Sequence, residues 1–278
     1  KQYHFFNPRA GVSYTLAERN NFYLSFAVAQ KEPTRSDFTD RYKFAADDTY
    51  PSSEKLYDWE LGYQYTAPRL SLGVNLYYMK YKDQLVPTGM VNDDSNALNT
   101  NVPDSYRRGV ELSASWRATG WFTVGANATF SQNRIENYVD ALKDSPTYGK
   151  ELGDMTIAYS PDVIANAFLN FHHRGFEAVF HTQHVGKQYF TNNENDALSL
   201  DAYCVTNLNL AYTFRTRSAR SVRLGLLINN LFNAEYESNG YGYSYMDTWS
   251  GPAPVRIDEA YYFPQAPLNV LANVTVKF

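Results

Sequence analysis

One cysteine, Cys204, stands in 278 residues. A lone thiol excludes an internal disulfide framework and any zinc site built from several cysteines. No run of about 18 apolar residues occurs, which excludes a membrane-spanning helix. The mean hydropathy of −0.48 excludes a bundle of hydrophobic helices. Positive charge is not in excess: 25 Lys and Arg face 29 Asp and Glu, a net charge of −4. Nucleic-acid binding calls for a basic patch, and this charge balance gives no electrostatic case for it. The opening "KQYHFFNPRAG" lacks the apolar core of a secretory leader. The expectation is therefore that a leader has been removed or that the chain begins inside a longer one. A 3.6-residue apolar period is not sustained anywhere. Catalytic patterns are missing too. "HTQH" (181–184) lacks the glutamate of a zinc-protease motif. Glu54 and Glu60 straddle a loop–strand boundary and support no paired-carboxylate mechanism, and "DDSNALNTN" is a polar loop, not a phosphate cradle. The reading is of a protein that is not an enzyme and calls for no cofactor.

Aromatic residues are what the chain has in abundance: 24 Tyr, 17 Phe and 4 Trp, or 16%. They sit in segments where apolar residues alternate with small polar ones. The last eleven residues, "LNVLANVTVKF", show the pattern, with Leu268, Val270, Ala272, Val274, Val276 and Phe278 on one side. A strand sends alternate side chains to opposite faces. The same alternation runs through residues 10–16, 22–28, 57–65, 70–78, 110–116, 122–130 and 222–228, and more noisily through "DVIANAFLNF", "FEAVFHTQHV" and "YCVTNLNLAYTF". That makes about eleven strands. Their second faces carry Ser13, Ser71, Gly73, Asn75, Glu111, Ser113, Thr123, Asn127, Thr129 and Asn273, with few long charges. A soluble β-sandwich puts more Lys and Glu on its wet side; a small polar face suits the interior of a barrel whose other face meets lipid. Connections alternate between short turns (17–21, 67–69, 118–120, 173–175, 215–221) and long polar stretches (31–55, 82–105, 139–159, 191–200, 237–264). Short periplasmic turns opposite long extracellular loops are the layout of outer-membrane barrels. The fold expected is all-β, an antiparallel transmembrane β-barrel, with a large soluble sandwich as the alternative that detergent-free solubility would favour.

The candidate chemistry lies in the long connections. Arg41, Tyr42 and Tyr50, then Tyr148, then Tyr241, Tyr243, Tyr245, Trp249 and Arg256 offer aromatic contact area and guanidinium groups for carboxylate or catecholate oxygens. The metal reading is weak. His181 and His184 are three apart on a strand and point to opposite faces, and His172 with His173 has the same problem. Asp47–Asp48 and Asp93–Asp94 lie in polar loops where carboxylates bind calcium or are simply solvated. No metal site is assigned. A passive porin or an adhesin barrel remains a competing class.

A family resemblance rests on seven phrases in order: "EPTRSDF" (32–38), "LYDWELGYQY" (56–65), "VNLYYMKYKDQLVPTG" (74–89), "VPDSYRRGVELS" (102–113), "VGKQYF" (185–190), "INNLFNAEYESNGY" (228–241) and "YYFPQAPLNV" (261–270). Together they resemble the C-terminal barrel half of a TonB-dependent outer-membrane receptor of Gram-negative bacteria, over residues 1–278. The resemblance implies a barrel of about 22 strands with a plugged lumen, of which this chain would be the last eleven or so. Counting back from the periplasmic terminus, the first strand here runs downward, so it should be an even-numbered one, the twelfth of about 22. The plug and the TonB box would lie upstream. The partners implied are the N-terminal half and plug of the same receptor, the TonB complex acting through the plug, and outer-membrane lipid and lipopolysaccharide. A small-molecule nutrient is the ligand implied, and there is room for a surface lipoprotein. An iron–siderophore complex leads among ligands, with cobalamin and haem behind; the five histidines lie in strands, near short turns or at the start, which lowers haem. The terminal Phe278 with Val276 and Val274 resembles the signal that the family's assembly machinery reads.

Overall fold

The computed structural model describes residues 2–39, 50–92 and 96–278. Its elements in chain order are β1 (Arg9–Leu16), β2 (Asn20–Lys31), α1 (Arg35–Thr39), β3 (Glu54–Ala67), β4 (Leu70–Val91), β5 (Ala97–Arg117), β6 (Phe122–Ile135), β7 (Met155–Thr156), β8 (Val163–His173), β9 (Phe176–Val185), β10 (Gln188–Tyr189) and β11 (Ser199–Leu200). Then follow β12 (Tyr203–Phe214), β13 (Ser221–Asn229), β14 (Glu237–Asp247), β15 (Val255–Pro264) and β16 (Asn269–Lys277). One sheet takes β1-β2-β3-β4-β5-β6-β8-β9-β12-β13-β16 in that order, with β7 paired to β6 beside the path. Every pairing in it is antiparallel, and β1 and β16 are its two edges. β10–β11 and β14–β15 form separate two-stranded sheets. Among the described residues no helix is long and apolar enough to cross a membrane, which says nothing of a crossing by strands.

The register carries the alternation from strand to strand. Leu72, Ala114 and Ala126 share one face across β4, β5 and β6, and Gly73, Ser113 and Asn127 share the other. On the first face Val12, Leu24, Leu61, Leu76 and Val274 are all exposed, Val274 by 65%. A sheet that shows this much apolar surface has no partner layer among the described residues; lipid takes that place. The polar face is the crowded one. The Tyr23 ring lies where a Cβ on Gly62 would stand, and the Phe168 ring fills the same space at Gly125. Glycine is needed at these two positions because a neighbour's ring occupies the volume, as when inward-pointing side chains converge.

The upper edge of the lipid zone is visible on β2–β5. Phe26, Trp59, Tyr78 and Tyr106 follow one another across the apolar face, with ring centroids 5.2, 5.7 and 6.4 Å apart. Two residues further along β4 the same face turns ionic: Lys80 pairs with Asp104 and Glu136, and Lys82 with Asp104. An aromatic belt giving way to charge marks the interface with water. At the opposite end the turns are tight. Arg174 and Gly175 both have positive φ, 47° and 86°, and join β8 to β9 as a two-residue hairpin of the kind that matches strand twist.

Two expectations need correction. Residues 82–105 are not a polar loop: β4 and β5 run on as a hairpin, paired from Lys82↔Asp104 to Val91↔Ala97. β4 is 22 residues long, whereas a tilted strand crosses a bilayer in about 9–11. Residues 237–264 are likewise a hairpin, β14–β15, rather than an irregular loop. In the β4 and β5 tops apolar alternation fades because lipid no longer lies on one side of them. Above the belt the molecule packs as water-soluble proteins do. Val86, Val102, Ile135, Tyr138 and Ile157 form one buried cluster, and Phe190, Leu198 and Leu200 a second. In the "PTRSDF" phrase, Thr34 and Asp37 cap α1 reciprocally, and Asn99 of β5 donates to Asp37 at 2.9 Å. That bond ties α1 to the β4–β5 hairpin.

Candidate extracellular ligand face

The connection between β9 and β12 holds the outer parts together. Asn192 is fully buried; its Nδ2 donates to the Pro87 carbonyl at 2.6 Å, and its Oδ1 accepts from the Ala158 backbone N–H at 2.7 Å. Pro87 belongs to the top of β4, four strands along the sheet from β9. Next to it Glu194 accepts from the Arg134 guanidinium and from the Thr156 hydroxyl and backbone N–H. Burial pushes the Glu194 carboxyl up, but the bonds from Thr156 and Arg134 outweigh it and hold the group below the usual carboxylate range. Phe190 then packs its ring against Tyr159 and Tyr262, each at 5.8 Å.

The β14–β15 hairpin lies on this platform by its small side. Gly240 and Gly242 sit against Phe190, and Gly242 also against Leu198; Ala260 completes the contact. A period of two therefore presents the opposite side, with Tyr241, Tyr243 and Tyr245 on β14 and Phe263, Tyr261, Glu259 and Ile257 on β15. Tyr241 and Tyr261 stack at 4.9 Å. Glu259 accepts three phenol hydroxyls: Tyr243 at 2.7 Å, Tyr261 at 2.8 Å and Tyr245 at 3.1 Å. These bonds, that of Tyr243 foremost, hold the Glu259 carboxyl below its ordinary range, and the carboxylate in turn pushes the Tyr243 phenol up.

The residues singled out in the sequence are partly gathered here. Tyr241, Tyr243 and Tyr245 share the exposed face. Trp249 is at the hairpin tip, 92% exposed. Arg256 lies on the platform side, where its Nε donates to Asp258 at 2.8 Å and its Nη2 to the Ser244 hydroxyl at 3.1 Å. Tyr148 stands elsewhere, in the turn of the β6–β7 connection organised around Asp140. Tyr50 pairs its ring with Phe38 beside α1. Arg41, Tyr42, Asp47, Asp48, Asp93 and Asp94 lie outside the described residues. His181 and His184 fall on opposite faces of β9, opposite Asn207 and Cys204 of β12. At the chain terminus Val274 and Val276 pair with Leu224 and Val222 of β13 on the apolar face. Glu259, Tyr261 and Asn192 were not among the ligand candidates. Only the hairpin register, which sets Glu259 opposite Tyr243, brings the first two into the cluster, and nothing in the sequence around Asn192 marks its partner 105 residues away.

A family model described as "TonB dependent receptor-like, beta-barrel" matches residues 1–231. Among solved structures, the ferric yersiniabactin uptake receptor FyuA of Yersinia pestis is 19% identical, with a TM-score of 0.66 over 97% of this chain and 37% of its own. The copper transporter OprC is 18% identical, with a TM-score of 0.68 over 96% of this chain and 38% of its own. The siderophore receptor PiuA of Acinetobacter baumannii is 14% identical, with a TM-score of 0.67 over 96% and 35%. At these identities the likeness is one of fold. The chain spans little more than a third of the length of each.

Proposed function

The chain belongs to the TonB-dependent receptor β-barrel family, and from that premise we propose that it is the C-terminal half of a receptor barrel that imports a scarce, bulky nutrient with energy delivered through TonB. The setting is the outer membrane of a Gram-negative bacterium. The leading ligand is an iron–siderophore complex, a reading supported by the uptake and siderophore receptors among the similar structures. The observation that carries the reading is the tyrosine face of β14–β15, held above the belt by a buried platform and exposed to the outside.

A plugged lumen is supported by the polar side of the wall. Asp58 Oδ1 and Asn75 Oδ1 are buried on it without a hydrogen-bond partner among the described residues. Buried acceptors are normally paired, and a plug reaching this side would supply donors. The free edges of β1 and β16 ask for neighbours as well, since each unpaired backbone group in lipid costs several kcal/mol. The N-terminal strands of the same receptor are the proposed neighbours.

The test is growth. A strain deleted for the full-length gene is supplied with defined iron–siderophore, haem or cobalamin sources, with and without TonB. Loss of growth on one source, restored by the gene only when TonB is present, is the expected result. Uptake that persists without TonB would favour a passive porin.

A further inference from the structure

The net charge of −4 hides a division along the barrel axis. We propose that the lower rim of the wall, around the β12–β13 loop, holds the phosphate group of an anionic phospholipid of the inner leaflet, with Arg174, Arg215, Arg220 and Lys277 as its ligands. The inference rests on the outer-membrane setting and not on transport.

Segregation of charge comes first. The short-turn end of the wall consists of residues 17–21, 67–69, 117–121, 173–175 and 215–221, with 275–278 at the end of β16. Arg19, Arg69 and Arg117 stand in the first three of these stretches, and Arg174, Arg215, Arg217 and Arg220 in the next two. Lys277 belongs to the last, and Glu18 is the one acidic residue in all of them. The remainder of the chain is therefore more acidic than its net charge suggests. Nearby, Glu177 answers Arg223 through bonds of 2.9 and 2.8 Å. Arg174, Arg215, Arg217, Arg220 and Lys277 are exposed and form no ion pair among the described residues. Like charges crowded in this way repel one another, and a bound anion relieves the repulsion.

The strands bring four of these cations to one place. The Thr213 backbone N–H donates to the Gly175 carbonyl at 2.8 Å, which sets the β8–β9 turn against the end of β12. Ser221 pairs with Lys277, which sets the end of β16 beside the start of β13. Between them opens a cleft of about 990 Å³, walled by Arg174, Arg215, Arg220 and Lys277 together with Phe214 and Phe278. Its level in the membrane points to the occupant. Just above it, on the lipid side, runs a second aromatic belt: Phe22 with Tyr63 at 4.8 Å, Phe122 with Phe171 at 4.6 Å, and Tyr212 with Phe214 at 6.0 Å. Phe176 is paired opposite Tyr212, and both are exposed. Such belts lie at headgroup level, so the cleft opens where lipid phosphates lie. Arginine meets phosphate with two parallel N–H donors. The two phenylalanines suit the glycerol and first acyl carbons of a lipid. A cell-wall glycan is polar throughout and has nothing to set against them.

The experiment uses the full-length receptor, delipidated in a non-ionic detergent. It is given equal amounts of phosphatidylglycerol and phosphatidylcholine with the same acyl chains, and native mass spectrometry reads which lipid stays bound. Both lipids carry a phosphate, but the choline ammonium offsets it in the second. The wild type should retain phosphatidylglycerol over phosphatidylcholine by at least about tenfold, as four cations near one headgroup require. An Arg174→Gln, Arg215→Gln, Arg220→Gln triple variant should bring the ratio close to parity. A Lys31→Gln, Arg35→Gln, Lys150→Gln variant removes the same charge from the far end of the molecule and should leave the ratio unchanged. Should the rim variant lack the heat-resistant gel mobility of a folded barrel, Arg220→Gln alone decides, with a loss of at least about threefold expected. Parity in the wild type, or a ratio lowered as much by the distant variant as by the rim variant, overturns the site. If the wild type shows parity and cosediments with purified peptidoglycan through the same arginines, the rim is a cell-wall contact and the lipid site falls. A receptor that supports growth yet shows no lipid preference loses only this site; one that shows the preference and supports growth on no source keeps it.

Discussion

Asn192 shows what a single side chain does in the extracellular platform. Its amide joins the β4 top to the segment before β8, and both of its bonds are buried. Asn192→Ala leaves the Pro87 carbonyl and the Ala158 N–H without partners, a penalty of about 1–3 kcal/mol. The expected outcome is faster proteolytic nicking of the 186–200 segment in the full-length receptor, with the heat-resistant barrel unchanged on gels. Glu194 predicts a pH response. Its folded carboxyl lies below the ordinary 4.5, so its contribution is complete above that value and fades as pH falls through the lowered one. Hydrogen exchange of the Thr156 amide, which donates to it, should accelerate on acidification below about pH 4.5; a Glu194→Gln variant should not show the step. Neither residue was legible in the sequence. Both act on partners dozens of positions away, and no local period encodes such a bond. Tyr241 and Tyr243 were legible because composition alone marks a tyrosine run.

At the scale of elements, the wall strands were legible and their tops were not. Alternation reports a solvent difference across a sheet. Between the short turns and the Trp59–Tyr78 belt, lipid and lumen differ sharply, and the eleven segments read from the sequence match strands of the wall. Beyond Lys80 both sides meet water or protein, and the tops of β4 and β5 continue with no clean apolar period, whereas the Tyr241–Tyr243–Tyr245 alternation of β14 lies in a stretch read as a polar connection. The wall makes a direct prediction. Val124 is on the lipid side of β6, paired with Trp116 and Leu169. Val124→Arg should destabilise the barrel by about 2–4 kcal/mol if it lies near the midplane, whereas Asn127→Ser on the lumen side should be far milder; urea unfolding in bilayers compares the two. The hairpin makes another. Replacing 237–264 by a tight turn should weaken ligand binding by the full-length receptor at least about tenfold, as expected when aromatic contacts each worth about 1–3 kcal/mol are removed. Unchanged affinity in a folded barrel would move the ligand away from this face.

The whole molecule is a curtain of strands with unlike sides. Among the described residues one side has no layer packed on it, the other is polar and crowded, and the buried apolar clusters lie above the belt. That arrangement is unstable in water and sensible in a membrane, where the hydrocarbon does the work of a second sheet. The ionic residues Lys80, Lys82, Asp104 and Glu136 set its upper limit. The account stands on which side meets lipid, and one measurement addresses that directly. In the full-length receptor carrying Cys204→Ser, single cysteines are placed at Leu72, Gly73, Val74 and Asn75 of β4, fluorescently labelled, and the protein is reconstituted with spin-labelled lipid. The account predicts strong quenching by lipid at 72 and 74 and weak quenching at 73 and 75. Equal quenching along the four positions, or the inverse pattern, would contradict it.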